Sequence, residues 1–371
     1  MNYKQLLISI LLIISCLIGC VGVYDVRYEL SANIVTVDGF VRDNDLTSIS
    51  IRLSQSYQKS LSDKPIKGCL AEILVGNGAK IKLEENENGL YVAPNSFRGT
   101  VGQTYQLRFK TPDGKDYQST VEKLNSVSSI QKIYQQFNQK GLLSADGKNT
   151  VGSTFDIYID TNDPTNQKNF YLWEWSQWEK LYICITCQNG TLNGTTAVCE
   201  PNNFSSVTYD YVCSGDCYGI LHNSKINVLA DTYVNGLPIV GRLIAQTPYY
   251  SKQGSLIEVR QYGVSATAYD YYKLLSDQSE TTGTLTDTPP AAIIGNVRNI
   301  NDPTENIAGY FGAASMAKTR FWIDRNGFND GVIVPLLGRE PQLEPNTPFR
   351  PPTMPCLPSR NRTPIKPDGW K

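Results

Sequence analysis

Apolar and polar residues alternate in short runs along most of this chain, and turn residues separate the runs. Ile34–Val41 (IVTVDGFV) is β-branched and alternating, then breaks at Arg42-Asp43-Asn44-Asp45. Ser48–Leu53 (SISIRL) keeps a strict period of two, the mark of a half-buried strand. Ala71–Val75 runs into Gly76-Asn77-Gly78, a hairpin turn, and returns through Lys80–Leu83. Gly89–Ala93 and Thr104–Phe109 follow, and Pro112-Asp113-Gly114-Lys115 turns the chain back into Tyr117–Val121. Short strands at this spacing predict an immunoglobulin-like β-sandwich over residues 34–126.

Residues 127–334 read as a larger β-rich domain. Strands are predicted near Ile130–Phe137, Thr154–Ile159, Phe170–Ile185, Ile220–Leu229, Leu237–Ala245, Leu256–Tyr262 and Met316–Asp324. Val264–Ser276 has near-helical spacing of Ala266, Tyr269, Tyr272 and Leu275 and predicts the one helix, running on to about Glu280. Gly283–Ala314 is short apolar pieces between turn residues. Residues 335–371 hold half of the chain's 20 prolines and predict an extended tail. The fold class is mainly β: an N-terminal sandwich, then a β-rich domain with one helix and a Pro-rich C-terminal tail.

The first twenty residues change this picture. Lys4 precedes an apolar run from Leu6 to Ile18, too short for a bilayer-spanning helix, which needs about 20 residues. Leu17-Ile18-Gly19-Cys20 resembles a lipoprotein lipobox. Residues 1–19 are therefore expected to be a signal peptide, Cys20 the lipid-bearing residue, and 20–33 a tether. Two or more acyl chains anchor stably where one does not. The expected location is at a membrane, outside the cytoplasm, where disulfides persist.

Net charge is −1, which gives no electrostatic case for nucleic acid. Nine cysteines include five between residues 184 and 217. In an oxidising compartment Cys184, Cys187, Cys199, Cys213, Cys217 and Cys356 read as disulfide partners rather than zinc ligands, with 15 pairings open. Cys69 is the odd one out, and Cys356 suggests that the tail is stapled to the body. The stretch Gln188–Asn203, rich in Gly, Asn and Thr, looks too poor in apolar residues to hold itself.

Phe170–Ile185 is the densest aromatic text. Trp173, Trp175 and Trp178 are candidate ligand-stacking residues, with core packing the plainer expectation. Catalysis finds little support. There is one histidine, His222, and no G-x-S-x-G elbow. Glu174 and Glu179 are the available carboxylates, expected to be solvated. The loops Asp43–Asp45, Asp160–Asp163 and Asn301–Glu305 offer oxygen ligands but fit turn capping better than calcium. No catalytic residue, metal or cofactor is assigned.

Several pieces together resemble the domain-of-unknown-function 4249 family of Bacteroidota outer-membrane lipoproteins. They are Val37-Asp38-Gly39, Gly89-Leu90-Tyr91, Val101–Leu107, Thr111–Tyr117, Tyr171–Glu174, Cys217-Tyr218, Pro289-Pro290-Ala291, Gly295–Asn299, Asp302-Pro303 and Gly309-Tyr310-Phe311. The resemblance implies a non-catalytic accessory or ligand-binding partner of a TonB-dependent outer-membrane transporter in nutrient uptake. The alternative is a structural or adhesive envelope lipoprotein; a glycan or peptide hydrolase ranks below both. The first domain is expected to be a spacer. The interaction surface is expected to combine the Cys-rich excursion with the loops around Gly295–Phe311.

Overall fold

The computed structural model describes residues 33–57, 60–144, 147–165, 167–201, 207–279, 293–345 and 351–371. Cys20, the signal peptide and Pro289-Pro290-Ala291 lie outside these residues. The strands are β1 (Ile34–Arg42), β2 (Ser48–Tyr57), β3 (Ser60–Pro65), β4 (Leu70–Val75), β5 (Lys80–Lys82), β6 (Glu84–Glu85), β7 (Leu90–Val92), β8 (Thr104–Lys110), β9 (Asp116–Ser119) and β10 (Glu122–Lys123). Then come β11 (Ile130–Leu143), β12 (Thr150–Asn162), β13 (Phe170–Lys180), β14 (Ile183–Cys187), β15 (Gly190–Asn193), β16 (Val198–Pro201), β17 (Tyr209–Val212), β18 (Tyr218–His222), β19 (Asn227–Ala230), β20 (Pro238–Pro248) and β21 (Ser255–Gly263). Helix α1 (Ala266–Ser279) precedes β22 (Val297–Asn299), β23 (Ile307–Ile323) and β24 (Arg362–Thr363).

Alternation builds the first sandwich. On β1, Val35, Val37 and Val41 turn to one face and meet Ile49 and Ile51 of β2. Opposite them stands a second sheet in the order β22-β9-β8-β4-β5, whose Ile73, Tyr105, Leu107, Phe109 and Tyr117 face inward. The expected sandwich is there, with an addition that the sequence did not signal. The segment read as part of the second domain supplies β22, which pairs with β9, and the first half of β23, which pairs parallel with β1.

Glycine makes that parallel pairing close. Gly309 has φ +91°, and a Cβ there would meet the Val37 carbonyl oxygen at 2.0 Å. Gly295 is pressed in turn against the Gly309 carbonyl. Asn296 completes the lock: its Nδ2 donates to the Phe311 carbonyl and its Oδ1 accepts from the Phe311 N–H, at 2.8 and 2.9 Å. The two ends of the stretch, Gly295–Asn299 and Ile307–Phe311, are therefore a packed seam of the first sandwich, with the exposed turn Ile300–Thr304 between them, and they join the first part of the molecule rather than the second.

The second half of β23 continues into the other part of the molecule and pairs antiparallel with β21, which pairs with β13. One 11-stranded sheet thus runs through both parts. Against its second half packs the sheet β11-β12-β20. Phe155, Ile157 and Ile159 meet Tyr171, Trp173, Ile257 and Val259 in that core. Helix α1 covers the opposite face of the long sheet, laying Tyr269, Tyr271 and Tyr272 near Phe40, Leu172, Tyr262 and Tyr310. Ser265 starts the helix by accepting the Ala268 N–H at 3.1 Å.

The Pro-rich tail is extended and held down. Leu343 bridges Asp210, Met354 bridges Cys213, and β24 pairs with β18. Trp370 ends it, edge-on to Tyr218 and Trp322 at 4.8 and 5.1 Å.

Candidate functional site

The six candidate cysteines pair as Cys184–Cys213, Cys187–Cys199 and Cys217–Cys356, and Cys69 is a free, buried thiol. The described part of the Gln188–Asn203 excursion, up to Pro201, is a hairpin, β15–β16, tied to β14 by the second bridge. Among the described residues, Leu192, Tyr211, Met354 and the half-cystines form the small core here, with Leu181, Ile185, Ala197 and Tyr209 packed half-buried against it. Tyr211 gives it order, accepting from Leu192 N–H and donating to Glu344 at 2.8 and 2.7 Å. The sulfurs of Cys184, Cys213 and Cys217 lie within 4.8 Å of one another. Each is consumed in a disulfide, so no thiolate is left there to ligate zinc.

Beside this module the chain leaves an apolar cleft of about 230 Å³. Tyr182, 65 % exposed, forms one wall with Ile183, and Ile333, Leu336 and Leu337 form the other. Glu179 and Tyr250 also line it. Glu179 is not the solvated carboxylate expected. It is 2 % exposed and takes a two-pronged ion pair from Arg325, at 2.5 and 3.0 Å, and the Gln177 amide at 2.5 Å. Burial pushes its carboxyl above the usual range, against the pull of the guanidinium. Arg339, at the rim, clamps Asp210 through two hydrogen bonds of 2.6 and 2.9 Å.

The tryptophans do not form an open platform. Trp173 is 1 % exposed, stacks on Tyr171 and donates Nε1–H to Gln261 at 2.8 Å. Trp175 packs half-buried on the same core. Trp178 lies on the other face with Tyr218, Leu256 and Trp370, under the Arg320 guanidinium at 5.6 Å. Stacking on a ligand is thereby closed to Trp173, since its ring faces are already inside the core.

The outer face of β13 and β21 carries a polar belt. Tyr262 donates to Glu174 at 3.1 Å, Arg260 donates to Glu258 and Ser176 at 3.0 and 2.9 Å, and Arg320 donates to Glu258 at 2.8 Å. Ser176 Oγ also meets His222 Nδ1 at 3.1 Å, a contact that the sequence did not suggest. Ser176 sits in mid-strand, buried, with Arg260 occupying its oxygen. That geometry fixes the imidazole rather than presenting an attacking hydroxyl. Of the Asp- and Asn-rich loops, Asn301–Glu305 caps its own turn, Asp302 accepting Thr304 N–H at 3.1 Å, whereas Asp160 and Asp43 accept from distant backbone, Gly241 N–H at 2.8 Å and Met316 N–H at 3.1 Å.

Fold and site define a two-part β protein, with a long shared sheet and a distal module cross-linked by disulfides. The sequence model of the family described as Domain of unknown function (DUF4249) matches residues 23–320, and the chain belongs to that family. No curated protein and no solved structure matches it. Among the described residues, no helix is long and apolar enough to cross a membrane.

Proposed function

We propose that this is a lipid-anchored outer-membrane lipoprotein that works without catalysis, as an accessory to a TonB-dependent transporter. Cys20 carries the anchor. The observation that carries the partner role is the apolar cleft walled by Tyr182, Ile333 and Leu337. Its walls stand on the tail and on the disulfide-stapled module, so they are pre-shaped, and pre-shaped apolar surface binds with less ordering cost. A loop of the barrel is the occupant that this reading assigns to the cleft. Three disulfides support a compartment outside the cytoplasm.

Purification from detergent-solubilised outer membranes tests it. A barrel protein should elute with the wild-type lipoprotein in fixed ratio, and Tyr182→Asp with Leu337→Asp should release it. Elution of the wild type alone would end the accessory reading. Cys20→Ser should move the protein to the soluble fraction; retention on membranes after a salt wash would refute the lipid anchor.

A further inference from the structure

The second sheet of the first sandwich has a basic outer face, although the whole chain carries a net charge of −1. Pairing register sets Arg298, Gln118, Arg108, Glu72 and Lys82 in one row across β22, β9, β8, β4 and β5. With strands about 4.8 Å apart, Arg108 stands about 10 Å from Arg298 on one side and from Lys82 on the other. All three are exposed, and among the described residues none of them has an ion pair. The carboxylates of this face are already matched, Glu72 with Lys80 at 3.6 Å and Asp116 with Lys110 at 3.5 Å. The face is also hollow. A cleft of about 390 Å³ is lined by Leu70, Glu72, Lys82, Arg108, Lys110 and Ile300. Leu70 is 71 % exposed there and Ile300 50 %, so two aliphatic side chains stand in water beside the cations.

This hollow lies at the end of the sandwich where β1 begins. Ile300 N–H donates to the Asp116 carbonyl at 2.8 Å. Glu305, two positions before the residue that pairs with Val35, takes Lys115 at 2.9 Å and Asn299 at 2.6 Å. Residues 21–33 join that end to Cys20 and reach at most about 45 Å when fully extended. We infer that Lys82, Arg108 and Arg298 dock on the anionic headgroups of the bilayer that holds Cys20, with Leu70 and Ile300 turned toward its apolar boundary. The inference rests on the lipid-anchor reading. Arginine presents a planar fork to phosphate oxygens and lysine a point charge, so the row suits phosphate. Each cation brought to an anionic surface strengthens binding about fivefold. The sandwich expected to be a spacer thus sets how the body stands on the membrane. The Tyr182 cleft, past the other end of β23, is a separate surface whose orientation this docking fixes.

The test reconstitutes the lipidated full chain into phosphatidylcholine vesicles, with and without phosphatidylglycerol, and follows amine acylation by mass spectrometry. Lys82 and Lys110 should label at least about fivefold more slowly on the anionic vesicles, the effect of one cation near such a surface. Lys252, beside the far end of β23, should label alike on both. Raised salt should restore the rate, because exposed charges are screened. Arg108→Gln with Arg298→Gln breaks no ion pair, so the melting temperature should hold while the protection of Lys82 and Lys110 is lost. Equal labelling on the two kinds of vesicle, or protection that survives the double substitution, would overturn the proposal and leave the anchor standing. Detachment of the wild type from neutral vesicles would end the anchor reading and this one with it, so the two failures are told apart.

Discussion

The first sandwich and the disulfide module solve the same problem by opposite means. The sandwich closes two sheets over some twenty buried apolar side chains and keeps its one cysteine, Cys69, as a thiol. The module from Leu181 to Cys217 has two two-stranded sheets and a handful of buried apolar residues. Segments below about 40 residues rarely bury enough surface to hold their own shape, and cross-links replace the missing core. A large protein therefore uses disulfides locally, where its chain leaves the main core.

The strongest way to break this contrast is to damage the strand that both parts share. Phe311→Ala removes a fully buried ring from β23 and should cost about 3–5 kcal/mol. Loss should spread to both halves, visible as a single early transition in chemical denaturation. Separate transitions would mean that the halves are independent. Arg325→Met ranks next. It strands the buried Glu179 charge, and about 3–5 kcal/mol should be lost. Glu179→Gln with Arg325→Met together should restore much of this; an additive loss would deny the coupling.

Removing Cys187 and Cys199 together, as serines, deletes a cross-link of 12 residues' separation and should cost about 3 kcal/mol, confined to the module. Hydrogen exchange should rise in β14–β17 and leave β1, β2 and β8 unchanged. Faster exchange in the sandwich would collapse the distinction between the two parts. Cys69→Ala should change stability by only about 1 kcal/mol, because no bridge is lost.

The smallest effect concerns pH. Burial, with Glu174 adding to it, pushes the Asp38 carboxyl up to about 6. The folded protein then binds this proton more tightly than the unfolded chain does. The stabilising contribution is complete below about pH 4 and is lost as pH rises through 6. Asp38→Asn should flatten that slope, and a carboxyl resonance titrating at the ordinary aspartate value would contradict it.

Where alternation was strict, the sequence was readable. Ser48–Leu53 lies in β2, and the helix expected from Val264 is α1, because a local period reports directly on a local face. The unpaired Cys69 and the stapled tail were also legible. The seam at Gly295–Phe311 was not. Glycines there look like turn residues, yet Gly309 serves a parallel pairing with Val37, far away in sequence, and no local pattern encodes that partner. Arg42 and Asp38 were read as a strand break and as part of a motif. Their shared face is implied by period two, but what each side chain meets depends on what folds over it. Glu179 was misjudged because its partner Arg325 is 146 positions away.

The shared strand also sets an order of events in time. β1 finds one neighbour in β2 at once, but its other edge waits for β23, and Asn44 reaches a carbonyl 272 positions downstream. A chain that emerges N-terminus first must hold residues 34–124 with an open strand edge until the last third of the polypeptide follows. Open edges invite pairing with other chains, and distant pairings form slowly. Folding of this protein is thus a race between delivery of Ile307–Ile323 and aggregation of an unfinished sandwich.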